Sequence, residues 1–237
     1  MRNRPALQVL ALTAIGTIVG IVVVLNVPWL PERASKQAGE IDDLYNALAV
    51  VSCFVFSLVT SILVVSIINF RQRHGEEREG PPIHGSTKLE IVWTTIPTLI
   101  VAAIVIVSAL VLADTERSSA ESRVVKVTAQ QFAWSFDYPS EGVKGAGELH
   151  LIKDQEYVFR LNSKDVIHSF WVPEFRVKKD VVPGITTSAK VEPTVIGTYP
   201  LVCTELCGLG HATMRAGVVV ESKASFDRWV AQERGRR

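Results

Sequence analysis

Sulfur-containing residues are scarce in this chain, which has three cysteines and two methionines among its 237 residues. No Cys-x-x-Cys-His sequence occurs, so the chain has no attachment site for a c-type haem. The formal net charge is only +1, which argues against a general role in nucleic-acid binding, because such binding needs a basic face that neutralises phosphates. No internal repeat or low-complexity segment occurs either.

Charged residues are absent from three long segments, Pro5–Pro31, Leu44–Phe70 and Ile91–Ala113. Each segment exceeds the roughly 20 residues that an α-helix needs to cross the hydrocarbon core of a bilayer. We therefore predict up to three membrane-spanning helices. Residues 1–31 are either the first of these or a signal peptide, because arginines ahead of an apolar stretch are typical of both. We expect retention, since no clear Ala-x-Ala cleavage site ends the stretch.

Basic residues are unevenly distributed between the two loops that join these segments. The 32–43 loop carries Arg33 and Lys36, whereas the 71–90 loop carries four: Arg71, Arg73, Arg78 and Lys88. Because cytoplasmic loops are enriched in Lys and Arg, we predict that the 71–90 loop is cytoplasmic and that residues 114–237 are extracytoplasmic. The chain is then a multi-pass protein of a bacterial plasma membrane.

From Arg123 onward the pattern changes to short β-branched and aromatic runs separated by Gly, Pro, Asn and Asp. Such a pattern is typical of an all-β sandwich or barrel. Phe226, Trp229 and Val230 follow at helical spacing within Ser222–Gln232, which predicts a short closing helix with a Ser cap. The candidate strands are Val124–Thr128, Gln131–Tyr138, Glu148–Ile152, Tyr157–Leu161, Val166–Val172, Thr187–Val191, Thr198–Val202 and Ala216–Val220.

The few sulfur atoms are concentrated in one segment, VCTELCGLGHATM, which contains Cys203, Cys207, His211 and Met214. A further histidine, His168, lies upstream in the aromatic run DVIHSFWVP. Thiolate, imidazole and thioether together are the soft ligands that suit copper, whereas oxygen ligands suit magnesium or calcium. The sequence therefore predicts a copper site.

Three other interpretations of this cluster stay open from the residues alone. Cys203 and Cys207 are also suited to a disulfide, which an extracytoplasmic compartment favours. Zinc is less suitable because it does not favour a thioether ligand. A one-copper blue site needs a single cysteine, and this segment offers two.

The two segments resemble the CuA loop and the upstream histidine strand of the cytochrome oxidase subunit II family. The resemblance spans nearly the whole chain and implies a cupredoxin-like Greek-key β-sandwich behind the membrane helices. It also implies a binuclear copper centre bridged by Cys203 and Cys207. By the same resemblance, His168 and Met214 complete one copper, and His211 with the backbone carbonyl of Glu205 completes the other.

Further roles follow from the resemblance. The side chain of Glu205 matches a magnesium ligand at the boundary with subunit I, and Glu90 matches a glutamate near the entrance of a proton channel. Phe132 and Trp134 lie in the aromatic run through which electrons reach CuA, although many relatives have tryptophan where this chain has Phe132. Each residue also has a purely structural alternative. For Glu205 it is an exposed loop carboxylate, for Glu90 a carboxylate at the membrane interface, and for Phe132 and Trp134 the core of a strand.

The implied function is electron transfer by subunit II of a respiratory haem–copper oxidase, a cytochrome-c oxidase and translocase. CuA accepts electrons from cytochrome c or a membrane-bound c-type cytochrome and passes them to haem in subunit I, where oxygen is reduced to water with proton translocation. The chain itself carries no haem. An acidic docking patch is expected only locally, at Asp137, Glu141 and Asp165. Nitric oxide reduction, nitrous oxide reduction and copper storage or delivery are the alternatives.

Overall fold

The computed structural model describes residues 4–72, 75 and 82–236. Three long apolar helices come first, α1 (Arg4–Asn26), α2 (Lys36–Phe70) and α3 (Thr87–Glu116). Each is long and apolar enough to cross a membrane, which agrees with the three predicted spans. The chain divides into a spanning unit, Met1–Trp29 with Asp43–Leu110, and a β-domain unit, Leu30–Asp42 with Val111–Arg237.

Only part of the predicted cytoplasmic loop, residues 71–90, belongs to the described residues. Its residues Arg73, His74 and Arg78 lie outside the described residues, whereas Arg71 and Lys88 are described and exposed. The predicted orientation therefore rests on the numbers of Lys and Arg residues that the sequence places in each loop.

Small residues allow α1 and α2 to pack closely within the spanning unit. A Cβ atom added to Gly16 would lie 2.9 Å from the Ser57 hydroxyl, and one added to Gly20 would lie 2.9 Å from the Cys53 thiol. Small residues are what bring membrane helices into close contact, because their backbones approach without side chains between them. Cys53 is thus a packing residue, as a small apolar span residue is expected to be.

The β-domain unit is a sandwich of two five-stranded sheets, which confirms the predicted fold class. Strand order is β3-β2-β1-β5-β8 in the first sheet and β4-β10-β9-β6-β7 in the second. A helix, α4 (Lys223–Gly235), follows the last strand. The strands are β1 (Arg123–Gln130), β2 (Ala133–Tyr138), β3 (Val143–Ala146), β4 (Leu149–Ile152), β5 (Tyr157–Ser163), β6 (His168–Val172), β7 (Val177–Val181), β8 (Thr187–Val191), β9 (Gly197–Cys203) and β10 (Arg215–Glu221).

Alternation of apolar and polar residues explains how the strands form the core. Val125, Val127 and Ala129 of β1 are buried at every second position, as a strand with one face against the core requires. Two aromatic rings from opposite sheets, Phe159 and Phe170, lie 5.3 Å apart between centroids. The core is therefore built by strands in which buried β-branched and aromatic residues alternate with more exposed positions.

Two strands lack this pattern, and the sequence does not predict them. β3 contains a glycine and only four residues, and the middle of β7 is charged, with Lys178, Lys179 and Asp180 between two valines. Both are edge strands of their sheets. Short length and charged side chains are common in edge strands, because both discourage pairing with another chain. The predicted closing helix is confirmed as α4, where the Ser222 hydroxyl accepts a hydrogen bond of 3.3 Å from the Ser225 amide.

The segment Leu30–Asp42, which ends within the first turns of α2, folds into the β-domain unit, where the sequence predicts only a loop. Ala34 is fully buried, and its amide donates to the Glu174 carbonyl at 3.0 Å. The Ser35 hydroxyl donates to the Phe175 carbonyl at 2.9 Å and accepts from the Ala38 amide at 3.0 Å. The β-domain therefore includes residues from before the second span as well as those after the third.

A buried carboxylate fixes this segment to the hairpin of β6 and β7. Asp42 accepts hydrogen bonds from the guanidinium of Arg176 at 2.8 and 2.9 Å and from that of Arg33 at 3.0 Å. The side chains of Asp42 and Arg176 are only 4% and 9% exposed. Two parallel hydrogen bonds between guanidinium and carboxylate fix orientation as well as distance.

Replacing Asp42 by Asn should loosen the β6–β7 hairpin, because Arg176 would keep its buried charge without an anionic partner. Removing one partner of a buried pair costs about 3–5 kcal/mol, and we expect about 3 kcal/mol here because Arg33 is partly exposed. Hydrogen exchange of the hairpin amides in the full-length chain measures this loss. The matched control is Lys36→Gln, which removes an exposed pair with Glu192 and should change the opening free energy by less than about 1 kcal/mol. Equal protection in both variants would contradict the anchoring role of Asp42.

Candidate metal centre

The strand framework brings the predicted ligand residues to one end of the sandwich. β6 begins with His168, β9 ends with Cys203, and β10 begins directly after Met214. The loop between β9 and β10, residues 204–214, is closed at its base because the Cys203 amide donates to the Met214 carbonyl at 3.1 Å. The Thr204 amide also donates to the Ser169 carbonyl of β6 at 3.1 Å.

Cys203 lies at the centre of one group of donor atoms. Its Sγ atom is 3.9 Å from His168 Nδ1 and 3.3 Å from the backbone carbonyl of Glu205. The ligand atoms of His168, Cys203 and Cys207 all lie within 4.8 Å of one another. The predicted histidine strand and the cysteine loop therefore meet.

Cys207 lies at the centre of a second group of donor atoms. Its Sγ atom is 3.7 Å from His211 Nδ1 and 3.8 Å from Met214 Sδ. The two sulfur atoms of Cys203 and Cys207 are 3.9 Å apart. All six predicted donors are thus brought together by the strands β6 and β9 and the 204–214 loop.

The disulfide interpretation is not supported, because Cys203 and Cys207 are both free. A disulfide requires sulfur atoms about 2.05 Å apart, and these lie at 3.9 Å. Burial, followed by the neighbouring Cys203 thiol, raises the pKa of Cys207 to about 11. Without a cation nearby, Cys207 is therefore held as a thiol.

The environment of the donors fits a soft metal. His168 and Met214 are completely buried, and Cys203 and Cys207 are 7% and 3% exposed. A buried thioether beside two thiols and two imidazoles suits copper better than zinc or magnesium. The donor set present in this chain therefore fits the copper centre that the resemblance implies.

Asp165 orients His168, a role that the sequence does not predict. Asp165 Oδ1 lies 2.8 Å from His168 Nε2, which leaves Nδ1 directed at Cys203. The backbone amides of Gln131 and Val166 each donate to Asp165 at 2.7 Å. Desolvation raises the pKa of Asp165, but the hydrogen bonds from His168 and the two amides outweigh it and lower the pKa to about 2. The only sequence signal is its spacing, three residues ahead of His168.

The turn between β1 and β2 packs on the outside of the 204–214 loop. Gln131 Nε2 donates to the Cys207 carbonyl at 2.5 Å. A Cβ atom on Gly210 would lie 2.5 Å from the Phe132 ring, and one on Gly208 would lie 3.2 Å from it. The two glycines thus leave room for the ring of Phe132, which is 39% exposed.

Trp134 lies deeper than Phe132. It is 5% exposed and meets His168 edge to face, with ring centroids 6.2 Å apart. Its indole nitrogen is buried and has no hydrogen-bond partner among the described residues. The two aromatic residues of the predicted electron path therefore differ, because Phe132 reaches the surface and Trp134 packs against a candidate ligand.

The two predicted carboxylates lie in different units. Glu205 is exposed on the 204–214 loop of the β-domain unit. Glu90 is exposed in the first turn of α3 in the spanning unit. Both side chains are thus on the surface of this chain, where an additional subunit can contact them.

Two family profiles match the chain. The profile described as "Cytochrome C oxidase subunit II, transmembrane domain" matches residues 23–111, and that described as "Cytochrome C oxidase subunit II, periplasmic domain" matches residues 148–223. These ranges contain α2 and most of α3 in the first case and all six donor residues in the second.

Similar proteins carry the same description. "Cytochrome c oxidase subunit 2" of Thermostichus vulcanus is 32% identical over 90% of this chain and 83% of that protein. The protein of the same description from Synechocystis sp. is 29% identical over 92% of this chain and 82% of its own length. A crystal structure of the periplasmic domain of subunit II of cytochrome oxidase of Bradyrhizobium japonicum is 25% identical, with a TM-score of 0.47 over 51% of this chain and 99% of that one. On the two profiles and the first relative, the chain belongs to the cytochrome c oxidase subunit II family and is a membrane protein with an extracytoplasmic domain.

Proposed function

We propose that the β-domain holds a binuclear CuA centre and that the chain receives electrons for a haem–copper oxidase. The observation that carries this proposal is the convergence of two thiols, two imidazoles, a thioether and a carbonyl in one buried site. The proposed ligands are His168, Cys203, Glu205 through its carbonyl, Cys207, His211 and Met214.

A bound CuA centre supplies one-electron transfer with little change in geometry. The contribution of this chain is to hold the donors in place. The thiolates of Cys203 and Cys207, the imidazoles of His168 and His211, the thioether of Met214 and the Glu205 carbonyl would together hold the copper ions. The hydrogen bonds at the base of the loop restrain the donors, so that little rearrangement accompanies a change of charge.

The proposed path for electrons begins at the surface beside Phe132. Its ring is partly exposed and contacts the loop at Gly210, while Trp134 lies inside against His168. Cytochrome c or a membrane-bound c-type cytochrome is the proposed donor, and haem in subunit I is the proposed acceptor. The whole complex would then be a cytochrome-c oxidase that reduces oxygen to water and translocates protons, in a bacterial plasma membrane.

Two carboxylates are proposed to act at the boundary with subunit I. The exposed side chain of Glu205 would bind magnesium, with the remaining ligands from the other chain. Glu90, in the first turn of α3, would lie near the entrance of a proton channel. Both carboxylates are exposed on the isolated chain, so another subunit can contact them and supply the remaining groups.

Copper loading of the full-length chain tests the proposed centre. We expect two copper ions per chain and an electron paramagnetic resonance spectrum with seven hyperfine lines, because one unpaired electron is shared between two equivalent nuclei. Met214→Ala should perturb this spectrum while leaving two ions bound, and Cys203→Ser should abolish it. One copper with four lines, or a Cys203–Cys207 disulfide that persists after reduction and loading, would favour a copper-handling or structural role instead.

Asp165→Ala should weaken copper binding by roughly 10- to 100-fold, because loss of the hydrogen-bonded partner of a ligand histidine has this effect in metal sites. Competition with a copper chelator measures the affinity, and pulsed electron paramagnetic resonance reports the coupling to the His168 nitrogens. Asp165→Asn is the matched control, since its amide oxygen still accepts a hydrogen bond from His168 and should restore most of the affinity. If the affinity and the nitrogen coupling both stay unchanged in the alanine variant, Asp165 does not position His168.

Phe132→Ala should slow electron input in the assembled oxidase without changing the CuA spectrum, because the ring is outside the donor set and partly exposed. Stopped-flow reduction of the centre by a c-type cytochrome measures the rate, which we expect to fall by an order of magnitude or more. Phe132→Trp should keep the rate, since it retains an aromatic ring at the same place. An unchanged rate in the alanine variant would mean that Phe132 only packs against the loop.

A further inference from the structure

A cavity of about 510 Å³ lies on the β-domain unit, away from the donor cluster. Three strands, β5, β7 and β8, form its walls together with the last turns of α3 and the first turns of α2. Five of its lining residues are basic, Arg160, Arg176, Lys178, Lys179 and Lys190, and one is acidic, Glu116, so the cavity attracts anions.

The pairing of β5 with β8 places part of this charge on one face. Val158 lies opposite Lys190, and Arg160 lies opposite Ser188, in antiparallel register. Residues two apart on a strand point to the same side of a sheet. This wall of the cavity therefore offers a guanidinium, an ammonium and a hydroxyl group around one apolar side chain.

Three of the five cations have partners within the unit. Arg176 binds the buried carboxylate of Asp42. Lys179 lies 3.2 Å from Glu116, and Lys190 donates to two carbonyls at the end of α3 and its following turn. These contacts give the cavity a defined shape, since they hold its walls together.

The other two cations, Arg160 and Lys178, are exposed. Within the described part of the chain, residues 4–72, 75 and 82–236, neither makes an ion pair or a side-chain hydrogen bond. Each lies on a strand, so its backbone position is fixed. The cavity therefore has two positioned positive charges that the fold itself does not use.

Chain position places the cavity at the membrane surface. Leu112 belongs to the charge-free run of α3 that ends at Ala113, and Ile41 precedes the charge-free run that begins at Leu44. Three residues of helix rise about 4.5 Å. Both helices thus contribute to the cavity within about one turn of the hydrocarbon boundary, where lipid phosphates are found.

We propose that this cavity binds the phosphate group of an anionic membrane phospholipid on the extracytoplasmic side, with Arg160 and Lys178 as its main contacts. Arg, Lys and hydroxyl donors match the oxygens of a phosphate, and basic pockets at the ends of membrane helices are suited to anionic headgroups. The apolar residues Ile41 and Leu112 on the helix side suit the start of an acyl chain. A free phosphate ion offers the same oxygens as the headgroup, but it has no acyl chain to contact Ile41 and Leu112.

Native mass spectrometry of the full-length chain released from detergent micelles tests the proposal. The chain is titrated with phosphatidylglycerol, with zwitterionic phosphatidylcholine and with inorganic phosphate. We expect one phosphatidylglycerol to be retained in preference to phosphatidylcholine. The double variant Arg160→Gln/Lys178→Gln should bind it roughly tenfold or more weakly, because each basic residue near a lipid headgroup contributes about 1 kcal/mol.

The matched control is Lys223→Gln/Arg228→Gln on α4, which removes the same charge from exposed positions outside the cavity. It should leave lipid retention unchanged. Equal retention of the two lipids, or equal weakening in the two double variants, would overturn the proposal. Displacement of phosphatidylglycerol by millimolar inorganic phosphate would identify a site for a free anion and overturn the lipid assignment. Since neither double variant touches the donor cluster, the copper spectrum stays an independent check that the domain is folded.

Discussion

The closure of the 204–214 loop against β6 is the constraint on which the site depends. Two backbone hydrogen bonds, from the Cys203 amide to the Met214 carbonyl and from the Thr204 amide to the Ser169 carbonyl, fix both ends of the loop and its neighbour strand. Once these two hydrogen bonds are formed, the residues of the loop can occupy only a small range of positions. The donor atoms of five side chains then meet because β9 and β6 are paired strands, with Cys203 opposite Phe170.

The upstream histidine depends on a second set of contacts. His168 opens β6, and the hairpin of β6 and β7 contains Arg176, which binds the buried carboxylate of Asp42. On its other side His168 is held by Asp165, whose own position is set by amides of the β1–β2 turn and of Val166. Residues far apart in sequence therefore fix one ligand. Asp42, in the second turn of α2, is part of that framework, so a β-domain that begins only after α3 would lack one of its anchors.

Much of this architecture is predictable from sequence because it rests on local patterns. Charge-free length predicts the spans, short β-branched and aromatic runs between turn residues predict eight strands, and the concentration of sulfur residues predicts the donor cluster. The missing parts are those that depend on partners distant in the chain. β7 is charged and becomes a strand only because β6 offers it hydrogen bonds, and Leu30–Asp42 is ordered by contacts with residues 174–194. Asp165 is recognisable as a positioning residue only when His168 is seen to face it.

Acidic and basic residues are nearly equal in number, but these totals do not show which charged side chains are paired within the fold. The local acidic patch expected at Asp137, Glu141 and Asp165 is largely occupied by the fold, since Glu141 pairs with Arg123 at 2.7 Å and Asp165 binds His168. The 204–214 loop also exposes two apolar side chains beside Glu205, Leu206 and Leu209, which are 80% and 106% exposed. A partner that contacts this loop would gain by removing apolar surface from water, at roughly 25 cal/mol per Å². Carboxylates are thus paired within the domain, whereas Arg160 and Lys178 in the cavity have no anionic partner among the described residues.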